Sequence, residues 1–186
     1  VRKSRPYTPA KLKNKAFLFK ALSANDIETL RLWRNHPHNA AWFEDNKPIT
    51  SADQHAWFEQ LDPNKQRYFS FSVKGALIAF FHLKQINYSE KTAECGLITN
   101  PEIQTGLGFT LPGSLELLRY AFDELELIEL NAKVKATNIV AIAYNKALGF
   151  EQLAKQTNEV FCWMRIERSQ FEKKRQQLEV LCLHVG

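Results

Sequence analysis

Three of the seven glycines in the chain, Gly106, Gly108 and Gly113, fall within eight residues of one another. They lie between a strand-like run ending at Ile98 and the strongest helical pattern in the sequence, which starts near Phe109 and takes Gly113 into its first turns. Glycine at such a junction lets backbone N–H groups approach a ligand closely. The helix behind adds unpaired N–H groups and a partial positive charge. Together these form an anion site suited to a pyrophosphate. Gly-x-Gly alone equally fits a plain strand-to-helix turn. No Gly-Lys-Ser/Thr follows, which excludes a P-loop. The third glycine is misplaced for a dinucleotide fingerprint.

A second group lies about 30 residues on, from Asn138 to Phe150. It reads as an Asn-capped helix closed by Gly149. Ala141, Tyr144 and Leu148 share one face of it, and taken by itself Tyr144 is a packed core tyrosine. Upstream, Glu94 shares a strand face with Gly96 and Ile98. It is placed either to accept a proton or simply to meet solvent. Cys95 points to the opposite face, into the core. His36 and His38 lack a third ligand and make a poor metal site.

The elements that must position these residues follow from periodicity. Residues 16–22 read as a strand. Asp26 to Arg34 reads as a helix that ends at Asn35-His36-Pro37, because the residue before proline avoids the α region. Thr50 and Asp53 form a capping box for a helix reaching Leu61. Three strands follow as an antiparallel meander, at 68–73, 76–87 and 92–98. Leu111, Leu115, Leu118, Phe122 and Leu125 recur at helical spacing, predicting a helix over 109–124. A strand at 128–134, a helix at 139–148, strands at 152–154 and 159–167, and a polar helix at 169–177 complete the order. This is a mixed α/β, α+β-like chain with a central sheet.

The chain has 186 residues, 45% hydrophobic and 24% charged, enough for one packed domain and not a disordered chain. No apolar run approaches the roughly 18 residues of a membrane span. Three cysteines without CxxC spacing fit a reduced, cytoplasmic compartment. Residues 1–15 hold six of the 25 Lys and Arg and no acid, which leaves 19 basic against 20 acidic residues in the remainder. The net charge of +5 is therefore a basic arm on a near-neutral body. The scattered aromatics make no nucleic-acid signature. The expected organisation is an arm at 1–15, a domain at 16–167 and a helical extension at 168–186.

The two constellations, in this order behind a meander, resemble the GNAT superfamily of acetyl-CoA-dependent N-acetyltransferases. The resemblance covers about residues 16–167 and is most specific from Glu94 to Phe150. It implies the GNAT fold, a mixed and mostly antiparallel sheet flanked by helices, with acetyl-CoA as co-substrate and no metal. It implies that Gln104, Thr105, Gly106, Leu107, Gly108 and Phe109 hold the cofactor's pyrophosphate. Asn138 would touch the pantetheine and Tyr144 would protonate the leaving thiolate. Glu94 would take the amine's proton, directly or through water. Backbone N–H groups at Leu97 and Ile98 would receive the carbonyl. The loop is one residue shorter than the family's between Gln104 and Gly106, and Pro112 is tolerable only in the first helical turn.

The stretch from Arg34-Asn35-His36-Pro37 through His55, with Arg67-Tyr68-Phe69 and Gln85-Ile86-Asn87, looks like one branch of that superfamily. It comprises the bacterial aminosugar N-acetyltransferases of pseudaminic acid biosynthesis, which acetylate the 4-amino group of a UDP-linked amino-deoxy sugar used for flagellin glycans. That resemblance implies Arg34, Phe43 and His55 facing the nucleotide sugar. Lys84 and Gln85 would border the acceptor, where the branch often carries Thr-Lys. Ile98 stands where it often carries Tyr. Alternatives are a GNAT enzyme acting on protein N-termini or polyamines, and a non-catalytic acyl-CoA-binding module. The strand edges allow a homodimer. No nucleic-acid or membrane partner is expected.

Overall fold

The computed structural model describes residues 17–103, 107–154 and 160–183. The basic arm lies outside them, as do Gln104, Thr105 and Gly106. Seven strands form one sheet in the order β1-β2-β3-β4-β5-β7-β6. They are β1 (Phe17–Ala21), β2 (Arg67–Val73), β3 (Ala76–Asn87), β4 (Thr92–Thr99), β5 (Glu129–Lys135), β6 (Glu151–Gln152) and β7 (Phe161–Glu167). All neighbours pair antiparallel except β4 and β5, which run parallel. The helices are α1 (Ile27–Asn35), α2 (Pro37–Ala40), α3 (Ser51–Glu59), α4 (Leu111–Arg119), α5 (Ile139–Leu148) and α6 (Arg168–Leu183).

Strand alternation sorts the side chains onto two faces. Phe69, Phe71, Phe81, Leu83 and Cys95 join Leu130, Met164 and Ile166 in the main core, under α4 and α6. On the other face, Phe80 and Ile98 pack with Leu30 and Trp33 of α1, with Phe43 and Trp57 set against them. The Thr50 capping box forms as expected, with Thr50 Oγ1 accepting from Asp53 N–H and its own O–H donating to Asp53 Oδ2 at 2.6 Å.

The helix predicted over 109–124 divides into three parts. A 3-10 turn at Leu107–Thr110 precedes α4, and a π-helical turn at Tyr120–Glu124 follows it. Pro112 falls in the first turn of α4, where its missing N–H breaks no bond. The π turn shifts the buried stripe so that Phe122 stacks on Phe171 of α6, with ring centroids 5.3 Å apart. Phe171, Leu178 and Cys182 of α6 are all buried. The segment after 167, expected as an extension, thus closes the main core.

Candidate active site

The opening of the sheet between β4 and β5 is the centre of the site. These strands pair only at Thr92 with Glu129, Ala93 with Leu130, and Glu94 with Asn131. Beyond that point β4 stays on β3 as far as Thr99, while β5 stays on β7 as far as Lys135. A wedge-shaped gap opens between the arms. Asn100 N–H donates to Ile78 C=O at 2.9 Å, which sets the alternation of hydrogen-bonding direction along β4. Residues 94, 96 and 98 aim their backbone groups at β3. Residues 95, 97 and 99 aim theirs across the gap. The Leu97 amide is therefore directed into the gap and away from β3. The Ile98 amide is not, because it belongs to the ladder opposite Phe80. The Ile98 expectation is corrected on this point: its side chain, not its N–H, reaches the site, on the face of α1.

On the main-core side of the sheet α4 and α5 meet. Thr110, at the start of α4, makes no cap with its side chain. Its hydroxyl donates instead to the Tyr144 phenol at 2.9 Å, and Ser114 Oγ lies 2.7 Å from the same oxygen. No side chain caps the start of α4, which continues directly from the 3-10 turn at Leu107–Thr110. Burial pushes the Tyr144 pKa up to about 12, against the lowering by Ser114 and Thr110, so the phenol keeps its proton at neutral pH. Its hydroxyl is held by α4 and packs at the margin of the main core. Asn138 Oδ1 accepts from Ala141 N–H at 3.0 Å, so its oxygen serves as the N-cap of α5.

Two of the three clustered glycines do different work. A Cβ at Gly108 would meet nothing within 4 Å, which leaves that backbone approachable. A Cβ at Gly113 would stand 2.6 Å from Phe81 and 2.9 Å from Phe71. Gly113 thus seats α4 on the sheet and is not part of a ligand cradle. Phe109 packs against the main core.

The acceptor side is the face under α1 and α3. The Arg34 guanidinium lies 4.0 Å above the Phe43 ring, a cation–π contact. It donates to the backbone carbonyl of Asp45 at 3.3 Å and has no ion pair among the described residues. Burial lowers its pKa, opposed by Tyr68 and Asp45. Its neighbours have structural duties. Asn35 exchanges hydrogen bonds with both backbone groups of Ile49 at 2.8 and 2.9 Å. His36 Nδ1 accepts from His38 N–H at 3.2 Å, capping α2. Asn39 is buried and donates to Trp33 C=O at 3.0 Å and Thr99 C=O at 2.9 Å, tying α2 to the tip of β4.

Lys84 stands opposite Glu94 in register, on the same face. Burial lowers the Lys84 pKa, against the favourable charge of Glu94. Gln85 is exposed at φ +50°, where the register of β3 shifts. It borders a polar cleft of about 240 Å³ with Glu94, Glu129, Asn131, Trp163 and Arg165. His55 is exposed, and its Nδ1 meets the Ser51 carbonyl of its own helix at 2.8 Å. Among the described residues it makes no direct contact with Arg34 or Phe43.

Sequence reasoning missed His82 and Tyr68, cross-strand neighbours on this face. The available signal was the alternation of β3, which puts His82 on the side of Phe80 and Lys84. Among the described residues there is no cluster of three or more metal-ligating side chains and no helix long and apolar enough to cross a membrane.

A sheet split between its parallel pair, with α4 and α5 meeting on its main-core side, is the architecture of an acyl-group transferase. The acetyltransferase (GNAT) domain matches residues 17–151, and the chain belongs to that family. It is 29% identical over 133 residues to the acetyltransferase PseH of Campylobacter jejuni, covering 71% of this chain and 78% of that protein. The crystal structure of the C. jejuni N-acetyltransferase PseH superposes with a TM-score of 0.63 at 20% identity, covering 82% of this chain and 99% of that one. The spermidine N-acetyltransferase of Vibrio cholerae, in complex with CoA and spermine, superposes with a TM-score of 0.73 at 23% identity, covering 86% of this chain and 99% of that one.

Proposed function

We propose that this acetyltransferase moves an acetyl group from acetyl-CoA to the amine of an anionic acceptor, a UDP-linked amino-deoxy sugar of the pseudaminic acid type. The observation that carries the acceptor class is Arg34, held over Phe43 with no carboxylate in ion-pair contact among the described residues. A guanidinium on an aromatic face suits a diphosphate and a planar base. Lys84 adds positive charge on the same face. The likeness to PseH supports the same reading.

The residues present fit acetyl-CoA. The uncapped start of α4, with Gly108 beside it, would hold the pyrophosphate, together with Gln104 to Gly106 outside the described residues. Asn138 would touch the pantetheine arm. When bound, the thioester supplies an activated acetyl group. The Leu97 amide is aimed where charge would develop on the acetyl oxygen, the kind of preorganised donor that lowers an acyl-transfer barrier. Tyr144 holds a proton beside the gap for the departing sulfur. Glu94, at the closed end of the gap, and His82, beside Gly96, are the groups on the acceptor face that can receive the amine's proton.

A second reading has its own observation. Glu94 and Glu129 both border the 240 Å³ cleft, and carboxylates there suit a polyamine or a protein N-terminus. Arg165 lies 3.6 Å from Glu129 and Lys84 faces Glu94, which reduces that attraction. A mass-spectrometric screen decides between them. UDP-linked amino sugars, spermidine and N-terminal peptides are offered with acetyl-CoA in parallel. Acetylation of the nucleotide sugar alone supports the first reading, and acetylation of spermidine or peptide alone overturns it.

A further inference from the structure

His82 sits opposite Gly96 in the β3–β4 register. A Cβ at residue 96 would stand 2.7 Å from its Cε1 and 2.8 Å from its Nε2. The imidazole edge therefore occupies the space that only glycine leaves open. Tyr68 borders it from β2, with ring centroids 5.7 Å apart. Neither ring nitrogen has a hydrogen-bond partner among the described residues, and the side chain is only half-buried. Gly96 directly precedes Leu97, whose amide faces the gap. An amine nitrogen attacking a carbonyl held on that amide from the α1 side arrives over Gly96, beside the imidazole.

We propose that His82 is the catalytic base of this transferase and receives the proton of the acceptor amine, directly or through one water; the assignment rests on the acetyl-transfer reading above. The amine lone pair forms the C–N bond to the acetyl carbon. The C–S bond breaks with its electron pair on sulfur. One N–H proton passes to an imidazole nitrogen, and the thiolate takes up a proton from the acid or from water. The products are the amide and the free thiol.

The surroundings keep the imidazole in its proton-accepting form. Burial is the largest cause of a pKa well below the ordinary value, followed by the charges of Lys84 and Arg34. Tyr68 from β2 and Glu94 from β4 also face it: Tyr68 interacts with Arg34 and with Glu94, Glu94 interacts with Lys84, and Asp45 lies beside Arg34. Glu94 is less well placed. It is the last residue of β4 paired with β5, at the closed end of the gap, with Lys84 opposite.

The test is His82→Ala and His82→Gln, assayed with the UDP-linked 4-amino sugar and in parallel with spermidine. Removal of a positioned base is expected to lower kcat by about 10²–10⁴-fold, with the KM for acetyl-CoA little changed. Added imidazole is expected to restore His82→Ala in proportion to its concentration, which a merely structural histidine would not allow. Wild-type turnover in both variants, or a loss that imidazole does not relieve, overturns the assignment. His82→Gln keeps the volume should the alanine variant fold poorly. If neither acceptor is acetylated, the acceptor reading fails, and His82 is then judged by NMR on histidine-labelled protein. Its Cε1 proton, identified by its absence in His82→Gln, is expected to shift when acetyl-CoA saturates the protein. An unmoved resonance overturns the proposal.

Discussion

The phenol oxygen of Tyr144 lies 2.7 Å from the hydroxyl of Ser114, joining α5 to the first turns of α4 on the main-core side of the sheet. Thr110 adds a second hydroxyl at 2.9 Å. Tyr144→Phe removes both bonds and leaves Thr110 and Ser114, each nearly fully buried, without that partner. A loss of about 1–3 kcal/mol in unfolding free energy is expected, read by urea denaturation. If Tyr144 also supplies the proton to the leaving sulfur, turnover falls about 10²-fold or more while acetyl-CoA affinity stays. Lost stability with full turnover would make the phenol a strut alone.

Gly113 meets Phe81 and Phe71 where a methyl group would have to fit. Both rings are fully buried in the main core, so neither can move aside without displacing its neighbours. Gly113→Ala is expected to cost about 1–3 kcal/mol, the usual penalty of overpacking, despite the better helix propensity of alanine. Gly108→Ala introduces no clash. It is expected to leave stability nearly unchanged and to weaken acetyl-CoA binding, and thermal shift with and without the cofactor separates the two.

Much of this architecture was legible because it is local. The alternation of β2 to β4, the Thr50–Asp53 capping box and the Asn138 cap each depend on residues a few positions apart. The gap between β4 and β5 depends on which distant strand β4 abandons after Glu94, and no residue near Glu94 encodes that choice. The same non-locality hid the partners of Tyr144, which lie 30 and 34 residues away. Spacing placed Gly113 with Gly106 and Gly108, yet only the packed rings of Phe71 and Phe81 reveal its different duty. His55 followed from resemblance, and one turn of α3 directs it to its own backbone. His82 was overlooked because a histidine between Phe81 and Leu83 reads as core until the facing residue is known to be glycine.

Arg34 tests the acceptor class. If it grips a phosphate, Arg34→Ala is expected to raise KM for the nucleotide sugar about 10- to 100-fold, the worth of a charge-assisted hydrogen bond. The KM for acetyl-CoA should not follow. Arg34→Lys should recover only part of the loss, because an ammonium lacks the planar fork and stacks poorly on Phe43. A polyamine acceptor predicts the opposite sign, since removing a cation would then improve binding. Steady-state kinetics with each acceptor reads the direction.

His82 also marks the pH dependence of stability. In the unfolded chain a histidine titrates near 6.5. In the folded protein its pKa is well below that, with burial the main cause and Lys84 and Arg34 adding to it. Below pH 6.5 the unfolded state therefore binds a proton that the native state refuses, and unfolding is favoured. The contribution of His82 is complete above about pH 6.5 and is lost progressively as pH falls toward its folded pKa, by at most about 1.4 kcal/mol per pH unit. His82→Gln cannot take up that proton in either state. Its unfolding free energy should fall less steeply than the wild type's between pH 6.5 and 5, as measured by urea titration at several pH values. Parallel curves for the two proteins in that window would show that the native imidazole takes up its proton as readily as the unfolded one, which a base facing Lys84 and Arg34 does not allow.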